Sequence, residues 1–170
     1  MEGKAVRESR SVLSELALPN DANGIGAVLG GKIMHLVDIA GAIAAARHCR
    51  RFVVTASFDH MDFLQPVHIG QLIVLRASVN RAFRTSMEVG VKVFAEDLRS
   101  GEARHVASAY LTFVALDEER QPAPVPPVIP ETGDEKRRFD QAGARRDYRL
   151  AHRNRNRGTP SPAAPTGERS

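Results

Sequence analysis

Asp38 is the only formally charged residue between Ile33 and Ala46, in an apolar run whose one glycine is Gly41. A carboxylate in such surroundings loses hydration, and desolvation makes it a better proton acceptor near neutral pH. The chemistry this points to is general-base catalysis; the alternative is a buried structural carboxylate bonded to backbone amides. Gly30 and Gly31 precede the run. Paired glycines let a ligand approach the backbone, and unbonded amides at a helix N-terminus can stabilise developing negative charge. Asn23, in Asp21-Ala22-Asn23, reads either as a functional amide or as a turn residue bonded to its own backbone.

Other chemistries find no anchor. Ser57, Ser86 and Ser108 lie in strand-like segments without a nucleophile-elbow motif. The six histidines show no metal-ligand spacing; His35 and Asp38 share a helix face but lack a third ligand. The single Cys49 excludes an intramolecular disulfide and a Cys-based zinc site. Neither a P-loop nor a dinucleotide fingerprint occurs. No metal is expected.

The elements that must position these residues follow from the apolar pattern. Residues 1–10 are polar and expected to fray. Ser11–Leu18 reads as a strand stopped by Pro19, and Lys32–Cys49 as a helix apolar on nearly every face, hence surrounded by protein. Strand signals follow at Phe52–Phe58, continuing after a kink to Leu64, then at Leu72–Val79, Thr85–Glu96 and His105–Leu116. The last is apolar on both faces, which asks for cover on each side and hints at a dimer. The order describes an antiparallel sheet wrapped around one long central helix, the hotdog fold of the α+β class. The folded domain is expected over residues 11–120. A Pro-rich strap at 121–130, an exposed charged helix at 131–153 and a disordered tail at 154–170 complete the chain.

Of 170 residues, 42% are hydrophobic and 26% charged, ordinary values for a globular protein. The net charge of +4 resides entirely beyond Pro130, and that basic tail lacks interleaved aromatics, which argues against a nucleic-acid partner. No run of 18 or more uncharged apolar residues occurs and the first residues hold no apolar stretch, so neither membrane insertion nor a secretory leader is expected. The expected location is cytoplasmic.

Four strings carry a family resemblance: LPNDANGIGAVLGGKIMHLVDIAGAIAAARHC, FVVTASFDHMDFLQPVHIGQLIVL, RTSMEVGVKVFAED and AYLTFVALDEERQPAPVPPVIP. They resemble the hotdog acyl-CoA thioesterases, in particular the cytosolic and brain acyl-CoA hydrolases and the YciA-like bacterial enzymes, over residues 11 to 130. The resemblance implies hydrolysis of fatty acyl-CoA to free acid and CoA without a cofactor, CoA being part of substrate and product. It matches the family's catalytic Asp to Asp38 and its active-site Asn to Asn23, with the Gly31 N–H as oxyanion donor. Gly30, Thr55, Arg84, Thr85 and Ser86 are then the expected substrate- and CoA-binding residues. The resemblance further implies a homodimer as the functional unit, assembled into a hexamer as a trimer of dimers. Leu29 and His35 depart from the family pattern at positions that bear on acyl-chain preference. Two other readings stay open: a non-catalytic acyl-CoA-binding sensor, and a hotdog dehydratase or hydratase, which would need a catalytic His before His35.

Overall fold

The computed structural model describes residues 1–156, with side chains to residue 152. Its strands are β1 (Lys4–Ala5), β2 (Ser11–Leu16), β3 (Phe52–Phe63), β4 (Leu72–Ala82), β5 (Ser86–Glu96), β6 (Ala103–Leu116) and β7 (Val128–Ile129); its helices are α1 (Gly30–Cys49) and α2 (Gly133–Asn156). Alternation decides the sheet's two faces. Leu75 and Val79 of β4, Met87, Val89, Val91 and Val93 of β5, and Leu111 and Phe113 of β6 are all buried against α1. The five strands run antiparallel in the order β2-β4-β5-β6-β3, so β3 is an edge. The α+β hotdog architecture expected from the sequence is the one observed.

Along α1 the inward residues Ile33, Leu36, Val37, Ala40, Gly41, Ala44 and Ala45 recur at helical spacing. Gly41 is required there: a Cβ would come within 2.9 Å of the Phe113 ring. The opposite side of α1 is not enclosed. Met34, Ile39 and Ile43 are 39%, 36% and 37% exposed, and Asp38 is half-buried at the boundary. The expectation of a helix surrounded by protein is met by this chain on one side only, because one five-stranded sheet covers only one side of a helix.

Three further expectations change. Residues 1–10 are held rather than frayed: β1 pairs in parallel with β7, Val6 and Ser9 are buried, and the Val79 N–H donates to Ser9 Oγ at 2.9 Å. The adjacent Ala5 and Val6 in a polar run leave no periodic signal to read. The second cover for β6 comes from α2 of the same chain, with Arg145 stacked 3.8 Å from the Tyr110 ring and Arg149 bonded to Thr112 Oγ1 at 2.9 Å. The charged helix is thus docked rather than free, and it continues to Asn156. The tail expected from residue 154 lies, beyond Asn156, outside the described residues. The Pro-rich strap crosses the end of α1, where its Pro126 carbonyl meets His48 Nε2 at 2.8 Å.

Candidate active site

The loop before α1 is built on Asn23. Its Oδ1 accepts the N–H groups of Ile25 at 3.0 Å and Ala27 at 3.1 Å, while Gly26 turns the chain at φ 79°. Both partners are donors, so the amide oxygen faces the loop and the Nδ2 hydrogens are left to donate elsewhere. Of the two sequence readings of Asn23 the structure shows the turn: the oxygen end of the amide shapes the loop, and Nδ2 is left over. The Leu29 N–H, bonded to the Asp21 carbonyl at 2.8 Å, sets the chain's entry into α1. Lys32 and Ile33 make the helix's first backbone bonds, both to the Leu29 carbonyl, which leaves the Gly30 and Gly31 amides ahead of them. A Cβ at Gly31 would meet nothing within 4 Å, so the space before this helix end is open. Asn23 and Gly30 line a cavity of about 310 Å³ walled by Ile33, Phe63, Val67 and Val106.

Asp38 lies farther along α1. Thr55 Oγ1, on β3, donates to Asp38 Oδ1 at 2.6 Å, a short charge-assisted bond that fixes the carboxylate's rotation. Thr55, expected among the substrate contacts, is thus a partner of Asp38. β3 is irregular just here, with register shifts at Thr55/Ser57 and Phe58/His60, the bulges behind the expected kink.

Seven residues separate Gly31 from Asp38, about 10 Å along the helix axis. One carbonyl group cannot touch both within a single chain. Arg84, Thr85 and Ser86 are not brought to this site either. Arg84 and Thr85 lie in the β4–β5 turn and Ser86 opens β5; the turn is tied to the strap and to β6 through its carbonyls, with Val125 N–H donating to Arg84 O and Ala115 N–H to Thr85 O. Register pairs Ser86 with Val114, on the face of the sheet turned away from α1.

Sequence reasoning missed two buried carboxylates, Glu88 and Asp59. Glu88, 1% exposed, accepts from Arg145 at 2.7 and 3.0 Å and from Asn80 at 3.1 Å. Asp59 accepts from Ser57 and Thr112, each at 2.6 Å, and pairs with Arg149 at 2.6 Å. Both tie α2 to the sheet. The hint in the sequence was only that Glu88 sits on the polar face of the β5 alternation and that α2 has arginines four residues apart.

Comparison with known proteins gives these features a family. The sequence profile of the Thioesterase superfamily matches residues 25–102. An uncharacterized acyl-CoA thioester hydrolase of Bacillus subtilis, YkhA, is 44% identical over 134 residues, which is 79% of this chain and 78% of that protein. A solved apo-hexameric acyl-CoA thioesterase superposes with a TM-score of 0.86 at 38% identity, covering 89% of this chain and 97% of its own. The acyl-CoA hydrolase of Staphylococcus aureus, solved with butyryl-CoA, CoA and CoA disulfide, gives a TM-score of 0.84 at 38% identity, covering 91% and 94%. That enzyme has also been solved with Ala in place of one Asp, one Asn or one Thr. The chain belongs to the hotdog-fold acyl-CoA thioesterase family.

Proposed function

We propose that this protein hydrolyses fatty acyl-CoA thioesters to free acid and CoA, at sites shared between two copies of the chain. The observation that carries the reading is the Asp38 carboxylate, oriented by Thr55 at 2.6 Å on a helix whose glycine N-terminus is open. The replaced residues of the Staphylococcus enzyme support it: their intervals, fifteen from Asn to Asp and seventeen from Asp to Thr, are those separating Asn23, Asp38 and Thr55 here.

Asp38 takes a proton from water, and the resulting hydroxide attacks the thioester carbonyl carbon. The Gly31 N–H and Asn23 Nδ2 donate to the oxyanion. Collapse of the tetrahedral intermediate breaks the C–S bond and expels the CoA thiolate, a leaving group stable enough to depart without a strong general acid. The proton held by Asp38 then passes to solvent or product, which regenerates the base.

The axial separation within α1 supports a site that takes Gly31 and Asn23 from one chain and Asp38 and Thr55 from the other. The surface left uncovered favours that pairing. β3 is a sheet edge among the described residues, carrying Phe52, 79% exposed, with Val54 and Phe63 also open, and α1 leaves Met34, Ile39 and Ile43 exposed. Two α1 helices packed antiparallel about an axis between Met34 and His35 would set Gly31 of each opposite Asp38 of the other. Such dimers assemble further into hexamers, the state of the solved apo relative. No helix among the described residues is long and apolar enough to cross a membrane; the similarity to cytosolic acyl-CoA thioester hydrolases of rat and mouse supports a cytoplasmic location.

The direct test is Asp38→Asn, which keeps shape and removes the base. Thiol release from acyl-CoAs should fall by about 10²–10⁴-fold, with the thermal transition retained. Near-normal turnover by the folded variant refutes Asp38 as the base.

A further inference from the structure

We propose that Arg104 is a positioning residue for the hydrolytic site: it clamps the loop between β3 and β4, and through that loop it holds Asn23. The proposal rests on the hydrolytic reading and adds to it the device that fixes the oxyanion side.

Arg104 stands near the start of β6, half-buried, and has no carboxylate partner among the described residues. Its side-chain hydrogen bonds go instead to a single loop. Nη1 donates to Gln65 Oε1 at 2.7 Å, and Nη2 donates to the Pro66 carbonyl at 2.8 Å and to Gln71 Oε1 at 3.2 Å. A guanidinium is a planar fork with five donors in fixed directions, so these acceptors are held at set positions relative to one another. Ordering a long side chain costs entropy that no ion pair offsets here. What Arg104 supplies is therefore geometry rather than charge pairing.

The clamped points bracket the two residues that touch the loop before α1. Between Pro66 and Gln71, the Val67 carbonyl accepts the Val28 N–H at 2.8 Å, and His68 forms an antiparallel bridge with Ala27. Gln71 Oε1 also accepts the His68 N–H at 2.9 Å, so Arg104 and His68 share one acceptor. Ala27 in turn holds Asn23 twice. Its carbonyl accepts the Asn23 N–H at 2.6 Å, and its own N–H donates to Asn23 Oδ1 at 3.1 Å. A continuous series of hydrogen bonds thus runs from Arg104 to Asn23 without passing through α1.

Asn23 aims Nδ2 through the rotation of its amide, and that rotation is set by the donors on Oδ1. A shift of Ala27 turns the amide away from the carbonyl it must meet. Misplacing a positioned group by about 1 Å can lower a rate about 10²-fold. The same loop contributes Gln65, Pro66 and Val67 to the wall of the cavity that Asn23 and Gly30 line. Val67, 4% exposed, and the Gly70 N–H bonded to the Ala17 carbonyl at 2.8 Å keep the loop on the core. Loss of Arg104 should therefore loosen the loop and leave the chain folded.

Arg104→Met keeps the aliphatic stem and removes the fork. Its thermal transition should be retained, and kcat for thiol release should fall about ten- to a hundredfold. KM should change less, because an oxyanion donor acts in the transition state. Exchange mass spectrometry should show faster amide exchange over residues 22–30 and wild-type exchange over β5. Arg104→Lys, whose single ammonium cannot face all the acceptors, should recover only part of the loss. Gln71→Leu removes one acceptor and leaves Arg104 in place, so it should show both changes at smaller size, and it decides if Arg104→Met does not fold. Wild-type kcat in either variant overturns the proposal, as does a loss of kcat while residues 22–30 exchange as in wild type. Absence of thiol release from the wild-type protein would instead overturn the hydrolytic reading, and the positioning role with it.

Discussion

A carboxylate at the margin of a helix is useful as a base only if its second oxygen is kept facing the water it must deprotonate. In the proposed mechanism Thr55 has that role, donating to one oxygen of Asp38 at 2.6 Å. Replacing Thr55 by Val removes the donor and keeps the β-branched shape. A hydrogen bond to a charged group contributes about 1.5–3 kcal/mol, so kcat should fall by about ten- to a hundredfold with KM little changed, as steady-state thiol release will show. His48 presents the opposite case, a titratable ring kept neutral. It is fully buried, Nε2 donates to the Pro126 carbonyl, and Nδ1 has no partner among the described residues. Burial pushes its pKa below the ordinary histidine value, and the nearby Lys4 adds to the shift. The unfolded chain therefore binds a proton that the folded chain refuses. Stability is full above about pH 6.5, the unfolded value, and declines as pH falls toward the folded value. Thermal melts from pH 7.5 downward should show this loss, and His48→Gln, which can still donate to Pro126, should flatten it.

At the level of elements, α2 is the clearest departure from what the sequence suggests. Its composition is that of a solvated helix, yet its arginines reach carboxylates buried in the sheet. Removing Arg145 leaves Glu88 charged and enclosed, and breaking a buried pair from one side costs about 3–5 kcal/mol. Arg145→Met should lose that much in urea unfolding, and Glu88→Leu/Arg145→Met should recover most of it. A pattern-based reading sees the strands well, because alternation in β5 and β6 and the apolar spacing of α1 are local signals. The order of strands and the central helix were legible for that reason. Ion pairs between α2 and the sheet join residues 57 positions apart, as Glu88 and Arg145 are, and no local period encodes them. The same holds for the site. Asp38 and the glycines announced themselves by composition, and the family pattern added Asn23. The Thr55–Asp38 bond depends on a bulged edge strand, which the sequence showed only as an unexplained kink at Phe58.

For the whole molecule, the uncovered side of α1 and the open edge of β3 are what favour the proposal that one chain supplies half of a site. If Asn23 and Asp38 meet only across the subunit boundary, each dimer holds two sites, and each site draws one residue from either chain. Asn23→Ala and Asp38→Ala would each be inactive alone, since every site in either homodimer carries a lesion. Unfolded together and refolded, half of the dimers should be mixed under random pairing. In a mixed dimer one site collects both lesions and the other collects none, so roughly a quarter of wild-type turnover should return. Were both residues drawn from the same chain, each site of a mixed dimer would keep one lesion and mixing would restore nothing. Native mass spectrometry establishes that mixed dimers are present, and thiol release from that sample then decides. Absence of recovery there would require a single-chain path between Gly31 and Asp38, against the length of helix that separates them.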